Sequence, residues 1–133
     1  MLAQNTVLAA MPGRLSYEEA AAIPYGGLLA LHFLRRAGVR GGQRVAVYGA
    51  SGAVGTSAVQ LARHWGADVT GVCSGANLDL VRSLGAATVI DYTAEDFTQN
   101  QQPYDVIRRT ARAGSHSPGT DPERHPVLAR RGL

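Results

Sequence analysis

Residues 44–55 read RVAVYGASGAVG, an apolar strand that runs into a glycine-rich turn and directly on into a helix. Few arrangements constrain a chain more, because such a turn aims backbone N–H groups and the positive end of a helix at one point, a geometry suited to a pyrophosphate. The glycines have separable roles. Gly52 lets the main chain approach phosphates with no Cβ in the way, and Gly55 lets the helix pack tightly on the strand. The first glycine of the pattern Gly-x-Gly-x-x-Gly is replaced by Ala50, with Gly49 one residue earlier. A plain tight turn between strand and helix would use similar residues, but the strand before and the helix after are the context the pattern requires. Gly49, Ser51, Gly52, Ala53, Val54 and Gly55 are therefore the candidate phosphate-binding residues.

The flanks extend this unit. Val54, Ala58, Leu61, Ala62 and Trp65 fall on one face at helical spacing, with Gln60, Arg63 and His64 free to reach solvent. Gly66 is placed to end that helix. A second strand is predicted over Asp68–Ser74, a helix over about Asn77–Leu84, a third strand over Ala87–Tyr92 and a fourth over Tyr104–Ile107. Thr93 with Asp96 suggests the cap of a further short helix. Alternation of strand and helix predicts an α/β fold with parallel βαβ units. Upstream, Ser16 and Glu19 form a capping box for a short helix ended by Pro24, and a second helix over Gly26–Ala37 turns Leu28, Leu29, Leu31 and Leu34 toward a core.

The block from about residue 10 to 107, including GGQRVAVYGASGAVGTSAVQLARHWGADVTGVCS, resembles the cofactor domain of medium-chain dehydrogenases/reductases. The quinone-oxidoreductase-like and zinc-binding alcohol-dehydrogenase-like branches are the nearest in character. The resemblance implies a partial Rossmann fold: a doubly wound parallel sheet of about four strands behind two lead-in helices. It also implies hydride transfer between NAD(P)H and an alcohol, aldehyde, ketone, quinone or enone in family members that carry a GroES-like catalytic domain. Many members have Thr where this chain has Leu29, so no catalytic role is assigned to the stretch around Pro24, Gly26 and Gly27. Tyr92 is similar to a tyrosine that lies near the adenosine in related enzymes; an amphipathic residue at a sheet edge would read the same way.

An NAD-preferring site places Asp or Glu near the end of the second strand to hold the ribose hydroxyls. Here that strand ends Val72-Cys73-Ser74. A 2′-phosphate would meet no acid there, and the Ser74 hydroxyl with its neighbouring amides could donate to it. NADP is the expected cofactor. NAD stays open, because Gly75-Ala76-Asn77 stands where family members that bind NADP often carry Lys or Arg.

Charge divides the chain. Residues 1–107 have a net charge of −1, whereas residues 108–133 hold six Arg against two acids, for +4. That tail carries three Pro, three Gly and no aromatic residue, a composition with too little apolar surface to offset the entropy of ordering. All thirteen basic residues of the chain are Arg and none is Lys, as a GC-rich coding sequence would give. Residues 1–107 are thus expected to form the partial NAD(P)-binding domain. Residues 108–133 are expected to be a disordered tail or the product of a shifted reading frame, with a linker or a phosphate-attracting basic arm as alternatives; nucleic-acid binding is not the expected role.

The remaining chemistry is sparse. Cys73 is the single cysteine, which rules out an internal disulfide and a Cys-rich zinc site and suits a small buried residue. His32, His64, His116 and His125 show no ligand-like spacing with carboxylates, so no metal site and no catalytic residue is assigned. No leader and no run long enough to span a membrane is read, and a cytoplasmic protein is expected. Two functions fit: an NAD(P)H-dependent oxidoreductase fragment, inactive alone and acting on a small-molecule substrate only within a longer parent, or a non-catalytic nucleotide-binding remnant. An open sheet edge beside Tyr104–Ile107 is expected to favour self-association.

Overall fold

A computed structural model describes residues 8–94, Tyr104, 106–109 and 128–129. Helix α1 spans Tyr17–Arg36, strand β1 Arg44–Tyr48, helix α2 Ala53–His64 and strand β2 Asp68–Cys73. A 3₁₀ turn at Gly75–Asn77 leads into helix α3, Leu78–Ser83. Strands β3 (Thr88–Asp91), β4 (Val106–Arg109) and β5 (Leu128–Ala129) complete the described elements.

The sheet order is β3-β2-β1-β4-β5. β1 pairs in parallel with β2 and with β4, and β2 pairs in parallel with β3. Chain order therefore runs outward from β1 to β3 and then returns to the other side of β1. The loop leaving β1 consequently sits where the winding reverses, at the carboxyl ends of the strands, which is where open α/β sheets hold ligands.

Burial explains the strands. Val45 and Val47 are inaccessible to solvent, as are Val59 and Ala62 of α2 and Val81 of α3, and Val69 of β2 is nearly so. They form one core with Ala30 and Leu34 of α1. Val45 and Val69 stand opposite each other in the β1–β2 register, so apolar pairs face covering helices in the manner of a parallel sheet. Gly71 has the same logic in reverse, since a Cβ there would strike the Val81 side chain of α3.

Two expectations need correction. The two lead-in helices are one: α1 runs without a break through Pro24. Ser16 and Glu19 do close the predicted capping box at its start. Pro24 removes one backbone hydrogen bond, but Gly26, Ala30 and Leu34 beyond it form a buried stripe at i, i+4, i+8 that packs against α2 and the core. That packing outweighs the local signal to stop. Second, this small-residue stripe replaces the leucine face predicted for the same segment. Leu34 is buried and Leu29 and Leu31 half-buried, while Leu28 is 65% exposed. β4 runs two residues beyond Ile107, and Leu128–Ala129 pairs antiparallel with Ile107 and Arg108. Unpaired N–H and C=O groups along a strand edge readily recruit such a partner.

Candidate functional site

The chain leaves β1 at Gly49 with φ 75°, a left-handed conformation that glycine adopts without steric cost. The amides of Gly49 and Ala50 both donate to the Val72 carbonyl, at 2.9 and 3.0 Å, pinning the loop to β2. Because the positive φ falls at Gly49, Ala50 has an ordinary backbone and is fully buried. This accounts for the alanine at the first glycine position of the pattern. Gly52 then donates to the Gly49 carbonyl at 3.1 Å, and Thr56 donates to Gly52 at 2.8 Å to open α2.

The three glycines are required for different reasons. Gly49 is set by its dihedral. Gly55 is buried against the loop, and a Cβ on it would run into the Gly49 carbonyl oxygen and lie 2.8 Å from the Ala50 Cα. Gly52 is set by neither. It is the N-cap of α2 with φ −78° and ψ 167°, an extended backbone open to any residue, and a Cβ there would meet nothing nearer than the Gly49 oxygen at 3.4 Å. Nothing within the fold asks for glycine at 52, yet its bare backbone keeps the outer face of the loop open.

That face carries positive potential. Ala53, Val54 and Gly55 form the first turn of α2, whose N–H groups have no carbonyl of the same helix to bond. No acidic side chain lies in that turn and no side chain caps it, so the dipole is not neutralised locally. Ser51 precedes the cap and is half-buried. α1 approaches the same helix end, since a Cβ on Gly26 would overlap the Ala53 carbonyl. Gly26 thus serves close helix packing.

The second wall is built at the ends of β2 and β3. Tyr92 donates its amide to the Cys73 carbonyl at 3.1 Å, so β2 is tied to the glycine loop through Val72 and to the β3 turn through Cys73. Ser74 follows at once. Its hydroxyl accepts from the Asn77 side-chain amide at 2.9 Å, which leaves its own proton available to donate outward. Tyr92 is 47% exposed, and its ring leans on that of Tyr48 with centroids 5.8 Å apart. The candidate residues Gly49, Ser51, Gly52, Ala53, Val54, Gly55, Ser74 and Tyr92 therefore lie along one carboxyl edge of the sheet, with β2 as their common anchor.

Sequence reasoning missed Asp91, Thr93 and Tyr48 at this edge. Asp91 Oδ1 accepts from both the amide and the hydroxyl of Thr93, at 2.9 and 2.6 Å. These bonds from Thr93 hold the Asp91 carboxyl below the usual aspartate range, with the Gly75 amide adding to the effect. The Asp-x-Thr spacing is an Asx-turn signal that could have been read from the chain. Thr93 was instead expected to cap a helix with Asp96; Thr93 lies in a turn, and Asp96 is outside the described residues. Asp79 is exposed and pairs with Arg82 at 3.3 Å.

Cys73 is buried, and burial pushes its thiol up, with the Asp91 charge adding to the effect. His32 and His64 are exposed. Among the described residues, no group of His, Cys, Asp or Glu could hold a metal ion, and no helix is long and apolar enough to cross a membrane.

A model of the zinc-binding dehydrogenase family matches residues 53–111. The chain belongs to this family of medium-chain dehydrogenases/reductases. The human mitochondrial NAD(P)H oxidoreductase RTN4IP1 is 40% identical over 104 residues, which are 72% of this chain and 26% of that protein. The 2-methylene-furan-3-one reductase of Solanum lycopersicum is 39% identical over 106 residues, 78% of this chain and 27% of its own length. Among solved structures, the quinone oxidoreductase of Thermus thermophilus, described together with its NADPH complex, superposes with a TM-score of 0.66 at 38% identity. That match covers 73% of this chain and 34% of the other. The quinone oxidoreductase of Coxiella burnetii gives 0.69 at 36% identity, covering 73% and 31%. The chain spans about a quarter of the length of these curated relatives. The family's zinc finds no donor set among the described residues, and no step is assigned to a metal.

Proposed function

We propose that this chain is the nicotinamide-dinucleotide-binding part of an NAD(P)H-dependent oxidoreductase. The pyrophosphate would lie against Gly49–Gly55, and the adenosine end would lie beside Ser74 and Tyr92. The observation that carries this reading is Gly52, a glycine the fold does not need, placed at the open N-terminus of α2. The fit is chemical as well as steric: first-turn N–H groups and an unneutralised helix end face the space that a Cβ at 52 would enter. Relatives named as NAD(P)H oxidoreductases, and one solved with NADPH, support it.

When bound, the dinucleotide would supply the hydride, exchanged in the parent reaction with a carbonyl, quinone or alcohol. This chain's own contribution is to bind and orient. The first-turn amides of Ala53, Val54 and Gly55, with that of Ser51, hold the diphosphate, and the Ser74 hydroxyl donates to the ribose 2′ substituent. The absence of an acid at Ser74 favours NADPH over NADH, with the preference kept modest by Ala76 where a basic residue would strengthen it. No described residue is placed to donate a proton to a substrate or to orient a carbonyl, so the chain alone is expected to hold cofactor without turning over substrate. Assay of purified chain with NADPH and quinones, enones or aldehydes tests this: rates at background support it, and turnover abolished by Gly52→Val would overturn it. A non-catalytic nucleotide-binding role would make the same loop and the same binding, with no substrate partner in any assembly.

A further inference from the structure

Asp91 is the one carboxylate at the ligand-facing edge of the sheet among the described residues, and the dinucleotide-binding reading gives it no task. It stands opposite Cys73 in the β2–β3 register, so it is level with the last residue before Ser74. Its Oδ1 takes two hydrogen bonds from Thr93, closing the turn that contains Tyr92. Its other oxygen faces Gly75, where a Cβ would lie 2.5 Å from Oδ2. Gly75 has no positive φ, so what bars a side chain at 75 is this carboxylate and not the backbone. One side chain therefore spans two turns, the 3₁₀ turn that begins after Ser74 and the turn that presents Tyr92.

We infer that Asp91 is a positioning residue for the adenosine end of the dinucleotide, clamping the Ser74–Asn77 and Tyr92–Thr93 turns so that the Ser74 hydroxyl and the Tyr92 ring flank one subsite for the ribose 2′ substituent. This inference rests on the dinucleotide-binding reading above. Asp91 is not assigned a contact with the ligand, because its two oxygens are engaged by Thr93 and by Gly75. Ser74 and Tyr92 need the clamp for different reasons. Ser74 sits at the start of a three-residue 3₁₀ turn, an element with little stability of its own. Tyr92 is half exposed and held by one backbone bond to Cys73 and a ring contact with Tyr48. Pre-ordering both removes a cost that ligand binding would otherwise bear.

The test compares ADP-ribose with 2′-phospho-ADP-ribose, which share the pyrophosphate and differ only at the 2′ position. Titrations of the full chain are followed by NMR. Asp91→Ala should weaken 2′-phospho-ADP-ribose about tenfold while changing ADP-ribose by less than about twofold. Asp91→Asn, which keeps an acceptor for Thr93, should fall between. Thr93→Val, which removes only the hydroxyl bond, gives the same comparison should Asp91→Ala fail to fold. Equal weakening of both ligands would mean a general structural role and overturn the inference, as would no change in either. Failure of ADP-ribose to bind the unaltered chain would overturn the dinucleotide-binding reading, and this inference with it.

Discussion

The loop after β1 is shaped by what its residues lack, and the turn after β3 by what one residue carries. Between Gly49 and Gly55, three missing side chains set a left-handed turn, a close helix contact and an open face. Between Asp91 and Thr93, a single carboxylate takes two hydrogen bonds from Thr93 and lies against the Gly75 turn. Both are tied to β2, the first through Val72 and the second through Cys73. A backbone-built loop tolerates no added bulk where it is packed, whereas a side-chain-built turn depends on one group and on its charge.

The largest effect should come from filling the tightest contact. Gly55→Val would press a branched side chain into the Gly49 carbonyl and the Ala50 backbone, and should cost about 3 kcal/mol, read as a fall in the denaturant midpoint. A stability change under about 1 kcal/mol would show that the loop yields and that the contrast with the β3 turn is false. Gly49→Ala should cost less, about 1–2 kcal/mol, the usual penalty for a left-handed non-glycine residue. Here the same denaturation series should preserve the order Gly55 above Gly49.

The β3 turn should respond to pH where the loop does not. The Asp91 carboxyl is held below its ordinary value, so it stabilises the fold above the ordinary carboxylate range, around pH 4. That contribution is lost as pH falls further through the lowered native value. Melting temperatures of the unaltered chain and of Asp91→Asn should therefore separate above the ordinary carboxylate range and converge as pH falls below it. Parallel curves throughout would remove Asp91 from the acid response. The smallest effect concerns Cys73, whose buried thiol is pushed up; alkylation near pH 7.5 should run at least about tenfold slower than for free cysteine. Fast labelling would mean that the β2 end opens between its two anchors.

These contrasts follow what the chain made legible. The loop could be read because glycine is the direct trace of a backbone demand: Gly49 reports a positive φ and Gly55 a close approach. The parallel pairing likewise follows from apolar runs such as Val45–Val47 alternating with helices. Pro24 misled, because the stop it signals is local and the stripe of Gly26, Ala30 and Leu34 that overrides it is a tertiary contact. Leu28 misled for a related reason: α1 meets α2 through small residues, so leucine size did not mark the buried face. Asp91 was not legible as part of this edge, because its place level with Cys73 comes from the register of β3 on β2, a tertiary pairing.

Nucleotide binding should turn on Gly52, the glycine that no internal contact requires. Titration of the chain with NADPH and NADH, followed by NMR chemical shifts, should show weak binding with Kd on the order of 1 mM, about −4 kcal/mol. NADPH should bind the tighter of the two, and shifts should centre on Ser51 through Gly55. Gly52→Val should abolish those shifts while leaving the melting temperature nearly unchanged, since φ −78° suits valine and the nearest atom to its Cβ is 3.4 Å away. Shifts confined to the Arg-rich residues after 107, and indifferent to Gly52→Val, would contradict the account, leaving the nucleotide held by charge alone.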